Sequence, residues 1–283
     1  MQCRHVGATD RVEGVSVSES STSEYSSAGP AAARLVAQHL VMKPYIWSAV
    51  SVHTHGLRNL DGLKPPFVAI ANHSGHLDAP LIFGGLPRRL SRNLATATAG
   101  DYFFDAWYKA LPTKLFFNSF PVARQGHGSR SAGHRGLASR LLADGVPLLI
   151  FPEGTRSRTG AMARFTPGAA ALSISKNAPV LPIALVGSFA AMPYGATVPV
   201  PGRPHVHIVF GRPLRATPSE IALQFSERLY RYVVEMHDTT ARAYGMPTQA
   251  DFQRAVALRT AAAQADQPET PPDSDPEATN PEA

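Results

Sequence analysis

The segment Asn72-His73-Ser74-Gly75-His76-Leu77-Asp78 follows directly on the apolar run Phe67-Val68-Ala69-Ile70-Ala71. A histidine beside a carboxylate is suited to general-base chemistry. The carboxylate holds the imidazole in one tautomer and stabilises its protonated form, and the other ring nitrogen is left to take a proton from a hydroxyl. On a regular helix, positions five apart such as His73 and Asp78 diverge by about 140°. The pair meets only if His73 precedes a helix that has Asp78 in its first turn. Further along, Phe151-Pro152-Glu153-Gly154-Thr155-Arg156-Ser157-Arg158 forms a polar turn after another apolar run, and Phe120-Pro121-Val122-Ala123-Arg124 precedes it. Arg124, Arg156 and Arg158 offer guanidinium forks suited to a phosphate, Glu153 is placed to orient one of them, and Gly154 lets the backbone approach a ligand closely. The ordinary alternative is a surface loop with solvated arginines.

These groups need elements to hold them. Phe67–Ala71, Asn93–Thr98, Leu148–Phe151, Val180–Val186 and His205–Phe210 read as buried strands. Helical stretches lie between several of them, notably Ala132–Ala143 and Gly168–Lys176. The alternation predicts an α/β fold, a single domain with a mixed, mostly parallel sheet flanked by helices and with the site at the strand ends. Ala31–Val52 is apolar but interrupted by Arg34, His39, Lys43 and Pro44, which fits either a packed helix or one lying in a membrane interface. Thr217-Pro218-Ser219-Glu220 has capping-box spacing and predicts the start of a last helix through Phe225, Leu229, Val233 and Met236.

The chain has 283 residues, 44% hydrophobic, enough for a large core, and a net charge of +6. Residues 1–29 are a serine-rich leader too poor in aliphatics to offset the entropy of ordering, and 263–283 an acidic, proline-broken tail; both are expected to be disordered. This leaves an amphipathic segment at 30–52 and a folded domain at 53–262. Removing the tail's six acids from the net +6 leaves +12 on the rest, a basic body suited to anionic lipid or phosphorylated ligands. The lone Cys3 excludes an intrachain disulfide and is compatible with a reducing, cytoplasmic setting. No apolar stretch is long enough to span a bilayer.

Taken in order, the segments resemble the four blocks of the glycerolipid acyltransferase family. Asn72, His73 and Asp78 match Asn-His-x4-Asp; Arg124 matches the arginine that ends the second block; Phe151 to Ser157 match Phe-Pro-Glu-Gly-Thr-Arg-Ser at every position; and the strand around Pro179 and Pro182 matches the fourth block. The resemblance runs from about Val50 to Gly211. It departs from the common pattern at Gly75, where serine is frequent; at His76, where an aromatic is frequent; at Asn118, where glycine often opens the second block; and at Phe165-Thr166-Pro167-Gly168, where many relatives carry a lysine. The resemblance implies transfer of an acyl group from acyl-coenzyme A or acyl carrier protein to the hydroxyl of a lysophospholipid, foremost 1-acyl-glycerol-3-phosphate. His73 would be the base and Asp78 its orienter. Arg124 and Arg156 would grip the acceptor phosphate, with Glu153 setting their geometry and Gly154-Thr155 lending backbone donors. It calls for no metal, nucleotide or nucleic acid, and it is compatible with peripheral contact at an anionic membrane surface on the cytoplasmic side. The aromatic run from Tyr102 to Phe117 would line an acyl tunnel, rest on the bilayer, or serve as plain core.

Two other readings compete. A zinc hydrolase would use His73, His76 and Asp78, with further ligands from His53 and His55 or His205 and His207, but the spacing of the histidines departs from the usual ligand run. A non-catalytic module binding anionic lipid would need the basic body but not the His73–Asp78 pair.

Overall fold

The computed structural model describes residue 25 and residues 27–99, 116–122 and 131–265. Arg124, residues 102–115 of the aromatic run, nearly all of the serine-rich leader and the acidic tail beyond Ala265 lie outside the described residues.

Seven strands form one sheet in the order β1-β7-β6-β2-β5-β3-β4. They are β1 (Ser51–His55), β2 (Val68–Ala71), β3 (Ala95–Ala99), β4 (Phe120–Val122), β5 (Leu148–Ile150), β6 (Val180–Val186) and β7 (His205–Phe210). All neighbours pair in parallel except β6 and β7, so the sheet is mixed and mostly parallel, as expected. β1 and β4, short and poor in large aliphatics, are strands that the sequence pattern did not mark.

Helices cover both faces. Successive β2 side chains point to opposite sides, so every residue of the strand is apolar. Val68 and Ile70 join a core with α5 (Ser131–Ala143), α6 (Gly168–Lys176) and α8 (Ala222–Ala243). Ala69 and Ala71 join another with the N-terminal helices and with Leu81, Ile82 and Phe83 of α3 (Asp78–Gly85). Short helices α4 (Arg88–Ser91) and α7 (Ser188–Ala191) and the terminal α9 (Gln249–Ala265) complete the set.

Three departures from the sequence reading go beyond a shift of one or two residues at an element's end. The segment read as one helix to Val52 consists of α1 (Ala28–Val36), a π-helical turn (Ala37–Met42) and α2 (Lys43–Ala49), then turns into β1. Pro44 has no N–H to give Leu40 and would crowd its carbonyl in an α-helix. The helix widens just before it, with the Lys43 N–H reaching back to the Gln38 carbonyl. Thr217–Glu220 closes as a separate turn, because Glu220 takes two hydrogen bonds from Arg228 as well as the Thr217 N–H; α8 starts at Ala222. The third difference is α9, which runs to Ala265, into the segment read as tail. Its own start signal is the capping box Thr248–Asp251, in which the Thr248 N–H and hydroxyl reach the Asp251 carboxylate at 3.0 and 2.7 Å.

One side chain ties the sheet to the loop beyond β2. Where the strand ends, Asn72 stands in for backbone: its amide nitrogen donates to the Leu185 carbonyl (3.0 Å) and its oxygen accepts the Leu185 N–H (2.8 Å). This extends the β2–β6 ladder by one rung while the main chain turns away. Asn72→Ala leaves both buried groups of Leu185 unpaired and should cost about 2–4 kcal/mol of stability. Urea unfolding measures it, and a loss below about 0.5 kcal/mol would mean that the rung carries no weight.

Candidate active site

β2 and β5 lie side by side in register, Ile70 opposite Ile150. Their carboxyl ends therefore release Asn72-His73 and Phe151-Pro152-Glu153 next to one another at the edge of the sheet, where open parallel sheets place their ligands. The two segments are joined twice by main-chain donors. The His73 N–H donates to Glu153 Oε1 at 2.7 Å, and the Ser157 N–H donates to the His73 carbonyl at 2.8 Å.

His73 and Asp78 meet as the spacing required. Asp78 is the first residue of α3, and its Oδ2 lies 2.8 Å from His73 Nδ1. The same oxygen accepts the N–H groups of Ser74 (2.5 Å) and Gly75 (2.8 Å). Asp78 is wholly buried, whereas the His73 side chain is 21% exposed. With Nδ1–H donated to Asp78, His73 keeps Nε2 for a reactant. The ring is stacked on Phe151, centroids 4.0 Å apart, which fixes its plane. Gly75 fits its position because a Cβ there would come within 2.9 Å of the Met192 carbonyl.

The arginine turn is built differently from the sequence expectation. Glu153 orients no guanidinium among the described residues. Its carboxylate turns inward and is spent on two backbone donors, His73 N–H and, at 2.8 Å through Oε2, Ala163 N–H. The buried side chain joins the two halves of the site and is not placed to face a phosphate. Gly154, at φ +76°, and Thr155 stand exposed at the tip of the turn. Arg156 Nη1 lies 2.6 Å from His76 Nε2, and the guanidinium carbons of Arg156 and Arg158 each lie 5.2 Å from the centre of the Tyr194 ring. Loss of solvent on its inner side, the Arg156 charge and His73 hold His76 below the usual histidine range, so it accepts from Arg156 as a neutral ring. Tyr194 was not among the site residues read from the sequence, and His76 was weighed there only as a zinc ligand. Tyr194 sits in a proline- and glycine-rich loop with no motif to mark it.

The other histidines pair among themselves. On the parallel strands β1 and β7, His53 Nε2 meets His205 Nδ1 and His55 Nε2 meets His207 Nδ1, each at 2.9 Å, in one stacked ladder. His76 faces Arg156, away from a common centre with His73. No group of three or more His, Cys, Asp or Glu among the described residues is arranged to hold a metal ion.

Burial pushes the Glu153 carboxyl up to about 7, against the pull of its two N–H donors. The native state thus binds a proton more tightly than the unfolded chain does, so this contribution to stability is full at low pH and is lost as pH rises toward 7, by up to about 3 kcal/mol. His207 acts with the opposite sign. Burial and the three neighbouring histidines lower it to about 4, so its contribution is present above pH 6.5 and lost as pH falls through 4. The two windows overlap, which flattens the wild-type profile. The difference between wild type and Glu153→Gln isolates the carboxyl: the glutamine variant should gain on wild type between pH 4.5 and 7.5 in urea unfolding. A pH-independent difference would show that burial does not raise the Glu153 carboxyl above its value in the unfolded chain.

Comparison with known proteins gives a consistent picture. Residues 51–186 match the family model described as Acyltransferase. A 1-acyl-sn-glycerol-3-phosphate acyltransferase of Chlamydomonas reinhardtii is 32% identical over 171 residues, 57% of this chain and 48% of its own length. The chloroplastic 1-acyl-sn-glycerol-3-phosphate acyltransferase LPAT1 of Arabidopsis thaliana is 23% identical, covering 65% and 50% respectively. The chain thus spans about half the length of these curated relatives. The crystal structure of the 1-acyl-sn-glycerophosphate acyltransferase PlsC from Thermotoga maritima shares the fold, with a TM-score of 0.54 at 20% identity over 71% of this chain and 81% of that one. The family match runs from the first residue of β1 to the last of β6, so the segment that supplies six of the seven strands and seats His73 and Asp78 is an acyltransferase domain.

Proposed function

We propose that the protein transfers a fatty acyl group from a thioester, acyl-coenzyme A or acyl carrier protein, to the free hydroxyl of 1-acyl-glycerol-3-phosphate or a closely related lysophospholipid. The observation that carries this reading is His73 held by the buried Asp78 with its Nε2 left over, on the same sheet edge as Arg156. Relatives named for that reaction support it.

In this reading the acceptor hydroxyl sits against His73 Nε2. As the oxygen attacks the thioester carbonyl, its proton passes to Nε2, and the imidazolium that forms is stabilised by Asp78. Attack forms the new C–O bond and opens the carbonyl; collapse of the tetrahedral intermediate restores the C=O bond and breaks the C–S bond, and the proton on Nε2 is available to the departing thiolate. The step needs no covalent enzyme intermediate. The N–H groups of Ser74 and Gly75 are taken up by Asp78, so oxyanion donors must come from elsewhere in the site. Arg156 supplies a charge-assisted grip for the acceptor phosphate, with Arg158 beside it on the shared Tyr194 face. Arg124 would complete the grip by family pattern. Glu153 contributes by holding the His73 backbone.

The reading includes peripheral contact with an anionic membrane at the cytoplasmic face. Val36, Leu40, Val41 and Tyr45 of the N-terminal helices are more than half exposed, Leu40 at 71%, with Lys43 on the same segment. No helix among the described residues is long and apolar enough to cross a membrane. Contact of this kind suits a helix that lies along the surface.

Thiol release from oleoyl-coenzyme A with lysophosphatidic acid tests the reaction. His73→Ala should slow acceptor-dependent release by roughly 10²–10⁴-fold while lipid binding persists. Arg156→Ala should raise the KM for the acceptor more than it lowers kcat. Turnover unaffected by His73→Ala would remove the base from the mechanism. Flotation with vesicles containing anionic lipid should carry the protein at low salt, and Leu40→Glu with Val41→Glu should leave it behind. Equal flotation of that double variant would place the contact on another surface.

A further inference from the structure

The helical hairpin of α8 and α9 lies beyond the family segment, yet it reaches the loop that holds Glu153. Gln249, the first residue of α9, is buried, and all of its polar groups are engaged. Its side-chain oxygen accepts the Met162 N–H at 2.6 Å, its own N–H donates to Asp238 Oδ1 at 2.8 Å, and its side-chain nitrogen lies 3.4 Å from His237 Nε2. His237 Nδ1 in turn meets Asp238 Oδ1 at 3.0 Å, which leaves its Nε2 as the acceptor for the glutamine amide.

The next residue after Met162 is Ala163, whose N–H donates to Glu153 Oε2, while Glu153 Oε1 takes the N–H of His73. Three hydrogen bonds and one peptide link therefore run from α9 to the backbone of His73. A second contact anchors the same loop. Gly160, at φ +85°, lies against the Phe252 ring of α9, so close that a Cβ would come within 2.5 Å of it. Residues 159–166 contain no helix or strand, so their position is set by such anchors and not by a ladder of their own.

We propose that Gln249 is a positioning residue, which holds Met162 and Ala163 so that Glu153 fixes the main chain of His73 at the angle the base needs. The catalytic half of this inference rests on the acyl-transfer reading; the mechanical half does not. With the Gln249 acceptor gone, the buried Met162 N–H has no partner and the loop must move toward water to find one. Ala163 moves with it, and Glu153 loses one of the two donors that define its place.

The test is Gln249→Met, which keeps the volume and removes the acceptor. Leu60→Ala serves as a control, because it opens a buried site in the segment between β1 and β2, in the core that Met162 and Phe165 do not join, and weakens the fold by a different route. At a temperature where both variants are folded by circular dichroism, Gln249→Met should lower kcat roughly ten- to hundredfold with little change in the KM for the thioester. The control should retain kcat. Amide hydrogen exchange gives the second readout, independent of any reaction: His73 and Ala163 should exchange at least roughly tenfold faster in Gln249→Met and unchanged in the control. Protection of both amides at the wild-type level, or equal loss in Leu60→Ala, overturns the proposal. Absence of acyl transfer from the wild-type protein would overturn the proposed function instead, and the exchange result would still decide whether Gln249 holds His73.

Discussion

A carboxylate with no exposed surface must be surrounded by donors, or the cost of removing its charge from water would unfold the site around it. Asp78 meets this demand at one oxygen, with the imidazole of His73 and the N–H groups of Ser74 and Gly75 converging on Oδ2 at the start of α3, where the helix dipole also favours negative charge. Much of the local structure follows from that convergence. The chain from Asn72 to Gly75 has to curl around the carboxylate, so β2 stops at Ala71, and the Asn72 side chain supplies the rung that the departing backbone no longer offers.

The curl also explains why the two motif segments depend on one another. A turn that points its N–H groups inward at Asp78 leaves the His73 N–H facing the other way, toward β5. Glu153 receives it there. A carboxyl at that position is desolvated, but it meets two donors from opposite sides and so acts as a bridge between the β2 and β5 loops. Among the described residues, Arg156 and Arg158 are consequently free of it. Arg156 and Arg158 stand on Tyr194 and His76, groups contributed by loops after β6 and β2.

What was legible in the sequence was whatever had a local pattern. β6, β7 and α6 have the bounds read from apolar runs and turn residues, because a strand buried on both faces and a helix between two breakers mark themselves. Helical geometry set the condition under which His73 and Asp78 could meet, and the start of α3 at Asp78 fulfils it. The partners of Glu153 were not legible, because main-chain N–H groups from the β2 and β5 loops leave no trace in residue types; the nearby arginines did, and drew the wrong pairing. Tyr194, His76 and Gln249 are likewise tertiary choices. The cap at Thr217 was a true local signal overridden by Arg228, whereas the cap at Thr248–Asp251 was readable and marks a helix that composition alone did not suggest.

On the acyl-transfer reading, the reversal of a single strand pair has a consequence for delivery of the acceptor. β7 and β1 run against the other five strands, with His207 opposite Val186 and Ser51 opposite His205. The entry to β1, and with it the end of the N-terminal helices, therefore stands at the sheet edge from which His73 and Phe151 emerge. If that helical face rests on a bilayer, the base lies at the same end of the sheet as the end of the helices that touch the lipid. A single-chain lipid could then reach it by lateral diffusion in two dimensions, keeping its own acyl tail in the leaflet, while the thioester arrives from the aqueous side.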